Sequence, residues 1–66
     1  MEYSNSQIRK IIEEYIHSQR DRKILIRRLI DGVTFERLAE EFELSVRATK
    51  AIVYRCQVEV FRHVPE

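Results

Sequence analysis

The stretch FERLAEEFELSVRATKAIVYR, residues 35–55, decides the fold: an acidic apolar segment and a basic apolar segment flank three residues that continue neither pattern. Phe35, Leu38, Ala39 and Phe42 recur at three- and four-residue intervals and predict one buried helical stripe. Thr34 precedes them as an N-cap, and Glu36 sits in the first turn, where the positive end of the helix dipole favours it. Glu43, Leu44 and Ser45 then interrupt the period without a glycine or a proline. Leu44 reads as a plug in the angle between two helices, and Ser45 as the cap of a helix running from Val46 to about His63. Pro65 cannot continue that helix comfortably.

Two helices joined so tightly make either a plain bundle hairpin or a helix-turn-helix. The latter needs a small residue where the helices meet, apolar braces on both sides and a short turn. Ala39 is the small residue; Leu38, Phe42, Leu44 and Ile52 are the braces, and Thr49 can turn its methyl group toward the crossing. An apolar turn residue five positions after the alanine, then a serine and a basic helix, favours a helix-turn-helix over about 34–62.

Helical geometry then sorts the last helix. With Thr49, Ile52, Val53, Cys56 and Val60 inward, Arg47, Lys50, Ala51, Tyr54 and Arg55 share the opposite face. Arginine can donate two hydrogen bonds to guanine, and lysine can contact guanine or phosphate. The same residues also suit an ordinary solvated face. Arg55, Arg22, Arg27 and Arg28 read as contacts to the DNA backbone or as surface charges, and Tyr54 as a sugar–phosphate or subunit contact.

Outward from this region, Ser4 and Gln7 form a capping-box signature that opens a first helix through about residue 17. Ile8, Ile11, Ile12, Tyr15 and Ile16 lie along one side of it. Ser18 with Asp21 repeats the signature and opens a second helix to about Asp31, with Ile24, Leu25, Leu29 and Ile30 as its stripe and Ile26 left over. Gly32 suits the left-handed position that ends many helices. The expectation is a single all-α domain over residues 1–66, a small four-helix domain with a C-terminal helix-turn-helix.

The totals agree with this. The chain has 66 residues, 44% hydrophobic and 35% charged, with one Gly and one Pro, too few for a turn-rich β fold. It lies near the lower size limit for a self-sufficient core, which keeps self-association in view. The net charge of +1 hides an alternation: basic over residues 19–33, acidic over 34–44, basic again from Ser45. The single Cys56 has no internal disulfide partner, MEYSNS lacks the regions of a signal peptide, and no apolar run approaches the roughly 20 residues that span a bilayer. A soluble, cytoplasmic chain without membrane partners is expected.

A family resemblance adds to this reading. From about Arg20 to Val64 the chain resembles region four of bacterial RNA polymerase sigma factors, and the short phage or mobile-element proteins that look like that region alone. The carriers are the basic helix ending IDG, then VTFERLAEEF, then the turn ELS that opens the last helix. The resemblance implies transcription regulation on double-stranded DNA, with the helix after the Ser45 cap in the major groove and Val46, Arg47, Lys50 and Ala51 at the base edges.

Val58 and Phe61 lie near Tyr54 on the outward side, past the length a groove accommodates. Such a stripe usually has a cover. The first helix can fold back over it, or a homodimer can form through Tyr54, Val58 and Phe61 or through Ile12 and Tyr15 of the first helix. A dimer would also space two recognition helices one DNA turn apart. The acidic residues Glu36, Glu40, Glu41 and Glu43 with the apolar stripe leave open a protein-docking role, on RNA polymerase or another regulator.

His17 and His63 share no ligand spacing with Cys56, Glu40 and Glu41 diverge on their helix, and no glycine-rich phosphate loop occurs. No metal, cofactor, small-molecule substrate or catalytic site is expected.

Overall fold

A computed structural model describes residues 4–63. Within them lie four helices: α1 (Asn5–Tyr15), α2 (Gln19–Leu29), α3 (Phe35–Glu41) and α4 (Val46–Arg62). Each begins where its cap predicts. Ser4, Ser18, Thr34 and Ser45 are extended at the N-cap, and each side-chain oxygen accepts a backbone N–H three residues on. At Ser4 the box is complete, since Gln7 Oε1 also accepts the Ser4 N–H at 2.9 Å. The break between α1 and α2 has no glycine or proline, so the Ser18 cap marks it instead. Arg22 seals the other side of this break, donating to the carbonyl oxygens of Glu13, at 2.8 Å, and Ile16 at the end of α1. The α4 terminus falls at Arg62; Val64 and Pro65 lie outside the described residues.

The helices are ordered by one apolar cluster that draws on all of them. Ile12, Ile24, Leu25, Leu38 and Val60 are completely buried, and Ile11, Ile16, Ile52, Val53 and Cys56 join them. Ile26, outside the expected stripe, packs half-buried against this cluster, as do Ile8, Leu29, Phe35, Phe42 and Leu44. Helix α4 touches each of the other three and is the spine of the domain. Ile12 requires a correction. It was expected at a partner surface, yet it is fully buried inside the chain's own core, because α1 lays its apolar stripe on α2 and α4.

The corner between α3 and α4 is a Schellman closure. The Leu44 N–H donates to the Ala39 carbonyl at 2.9 Å, and the Glu43 N–H to the Glu40 carbonyl at 3.4 Å. Glu43 carries a φ of 55°, in the left-handed region where glycine is usual. Leu44 then packs half-buried against the core, as the apolar residue after such a closure commonly does. A left-handed conformation costs an L-residue about 1–2 kcal/mol, partly offset in glycine by its looser unfolded chain. Glu43→Gly is therefore expected to stabilise the fold by about 0.5–1 kcal/mol and raise the thermal midpoint by a few degrees. A lower midpoint would mean that the Glu43 side chain contributes more than its backbone strain removes.

Candidate nucleic-acid interface

The face presented by α4 follows from its capping and its crossing with α3. Ser45 is exposed, but its hydroxyl is occupied: it accepts the Ala48 N–H at 3.0 Å, and its carbonyl accepts the Thr49 hydroxyl at 2.9 Å. Thr49 is thereby satisfied although completely buried, with its side chain at the crossing. This fixes the rotation of the first turn. Arg47, Lys50, Ala51, Tyr54 and Arg55 are all exposed, whereas Val46 is half-buried. The set sorted by helical geometry therefore lies on an exposed face of the domain.

The cations around this face differ in what holds them. Arg47 makes no salt bridge or side-chain hydrogen bond among the described residues. Arg55 binds the carboxylate of Asp21 on α2 at 3.3 Å. Arg27 braces α2 against α3, with Nε 3.3 Å from Glu41 Oε2 and a second contact to Asp31 at 3.3 Å. Arg28 donates to the Val33 carbonyl at 3.0 Å, and its guanidinium lies 4.2 Å from the centre of the Phe35 ring. Lys50 Nζ stands 5.6 Å from the same ring. Arg22, also a backbone-contact candidate, is committed to the end of α1. Of these arginines, Arg47 alone has its charge without such an engagement among the described residues.

Asp21 is the residue that sequence reasoning missed. The sequence marks it only as the partner of Ser18 in a capping signature, but it is 7% exposed. Its carboxylate takes Arg55 and Arg20 at 3.3 Å each and lies 3.9 Å from Cys56 Sγ. A signal was present: Asp21 precedes Ile24 and Leu25 by three and four residues, on the stripe that faces α4. The Cys56 thiol is pushed above its ordinary range, first by burial and then by the Asp21 charge. It is a buried core group beside the Arg55–Asp21 ion pair.

The Arg27–Glu41 pair holds the Glu41 carboxyl below the usual glutamate range, mainly through the hydrogen bond from Arg27. A depressed carboxylate contributes stability above its unfolded pKa and loses it as pH falls through the folded one. Wild-type protein is thus expected to lose more stability than Glu41→Gln between neutral pH and about pH 3. Urea midpoints at the two pH values measure this, and equal losses would show that the brace adds nothing.

On the outward side of α4, Tyr54, Val58 and Phe61 are 55%, 62% and 47% exposed, so α1 does not fold over them. Tyr15 stacks on His63 with ring centres 3.6 Å apart, which occupies one face of its ring. No helix in the described residues is long and apolar enough to cross a membrane, and the described residues hold no cluster of three metal-ligating side chains. Comparison with protein-family models, curated proteins and solved structures gives no match.

Proposed function

We propose that the chain is a double-stranded DNA-binding transcription regulator that lays the N-terminal half of α4 in the major groove. The observation that carries this reading is the hydrogen-bonded corner at residues 42–45, with Arg47, Lys50, Ala51 and Tyr54 exposed on the helix behind it. An α-helix is about 10–12 Å across with its side chains, which matches a major groove about 12 Å wide, and α4 at about 25 Å is long enough to extend past the contacted bases. Arg47 supplies hydrogen bonds to a base edge; Lys50 and Arg28 supply positive charge to the backbone.

Salt dependence of duplex affinity is the test. Neutralising about four phosphates releases enough counterion that affinity falls on the order of 100-fold between about 50 and 200 mM salt. A folded sample with no affinity for any duplex at low salt removes the reading.

The exposed stripe of Tyr54, Val58 and Phe61 favours a second reading, in which α4 also docks on protein. A second copy of the chain is the simplest occupant, and RNA polymerase is another. Sedimentation of the isolated chain over a wide concentration range tests the first of these: a monomer throughout removes the second copy as the occupant.

A further inference from the structure

We propose that Phe35 organises a phosphate clamp in which Arg28 and Lys50 hold the DNA strand bordering the groove. Lys50 is then a backbone contact, and base readout is left to Arg47. The inference rests on the DNA-binding reading above.

The clamp joins three elements. Phe35 is the first residue of α3, Arg28 lies in the last turn of α2, and Lys50 lies in the second turn of α4. The ring draws a guanidinium to 4.2 Å and an ammonium to 5.6 Å, both within the range where an aromatic face attracts a cation. Tyr54 closes the group from the side, edge-on to Phe35 with ring centres 5.8 Å apart. Phe35 is half-buried against the core, so the ring itself is a fixed platform.

Two positive charges brought to one ring repel each other, and among the described residues neither has a carboxylate partner. Arg20, Arg27, Arg37, Arg55 and Arg62 each pair with an acid, whereas Arg28 and Lys50 share an aromatic ring instead. Arg28 spends one donor on the Val33 carbonyl, which fixes its plane and leaves others free. An anion at this place would relieve the repulsion and accept from both side chains. The neighbouring Arg47 stands on the groove-facing surface of the same helix as Lys50, which makes a DNA phosphate the matching anion. A lysine held at a ring beside α3 is drawn toward the groove wall; Arg47, with no such tether, is free to enter.

The experiment measures the slope of log affinity against log salt for Lys50→Gln, Phe35→Leu and Phe35→Tyr, on a preferred duplex and an unrelated one. Lys50→Gln is expected to lower the slope by about 1 and to weaken both duplexes equally. Phe35→Leu keeps an apolar side chain but removes the ring, and is expected to lower the slope at least as much. Phe35→Tyr keeps the ring and is expected to retain the wild-type slope. Thermal melts establish that each variant is folded at the assay temperature. If Phe35→Leu does not fold, Lys50→Gln and Arg28→Gln decide, since both are expected to lower the slope on both duplexes. A change of base preference in Lys50→Gln with its slope intact overturns the clamp, as does a wild-type slope in folded Phe35→Leu. Those outcomes leave DNA binding standing. A wild-type chain that binds no duplex removes both proposals.

Discussion

Leu38→Ala is expected to bring the protein to the edge of unfolding at 25 °C, with a thermal midpoint lower by at least about 10 °C. Leu38 is completely buried and belongs to α3, a helix of seven residues that is too short to persist without tertiary contacts. Its neighbour Ala39 is also buried, but as a methyl group it holds little area. Phe35 and Phe42 are only half-buried, so most of the anchoring of α3 falls on Leu38. Truncating a buried leucine costs about 2–5 kcal/mol, depending on how far the site collapses. A single-core domain of this size rarely has more than about 3–5 kcal/mol in total. The substitution therefore removes most of the margin. The same truncation at Phe61, which is 47% exposed, is expected to change stability by less than about 1 kcal/mol. A midpoint for Leu38→Ala within a few degrees of wild type would show that α3 is held by something other than its apolar face.

That the helices were legible in the sequence has a local cause. Four hydroxyl caps, at Ser4, Ser18, Thr34 and Ser45, satisfy their own neighbours within three residues, and such signals need no knowledge of the rest of the chain. Burial along α4 was legible for the same reason, since 3.6-residue periodicity fixes which side chains share a face. What escaped is non-local. The Arg27–Glu41 and Arg55–Asp21 pairs join residues 14 and 34 positions apart, and no spacing rule chooses among a dozen arginines and lysines for such partners. Ile12 shows the limit of an apolar stripe: periodicity says that it needs a cover but not whether the cover is the chain's own α2 and α4 or another molecule. Glu43 shows a third limit. At Gly32 the residue type announced a positive φ, now seen at 70°, whereas at Glu43 the fold imposes one on a residue that gives no sign of it.

Arg47→Ala is expected to reduce affinity for the preferred duplex by about 1–3 kcal/mol, roughly 5- to 150-fold, and to relax preference at a single base pair. The expectation depends on a contrast with the arginines that surround it. Arg55 neutralises a carboxylate that is 7% exposed, so its removal leaves a buried charge with fewer partners and is expected to register first as a lower melting temperature. Arg27 links α2 to α3 through Glu41, and loosening that link is likewise an effect on the scaffold. Arg47 supports nothing within the described residues, so its alanine variant should melt with the wild type, and any lost affinity belongs to the complex alone. Its companions sharpen the point. Ala48 and Ala51 have no hydrogen-bonding side chain and Lys50 lies beside Phe35, so on the proposed reading direct readout by this helix would rest on one guanidinium. Selection from a random duplex library with wild type and Arg47→Ala measures both quantities. One position losing its preference fits a base contact. A uniform loss across all sequences, with the salt slope lower by about 1, would make Arg47 a phosphate contact and leave this helix recognising DNA through shape.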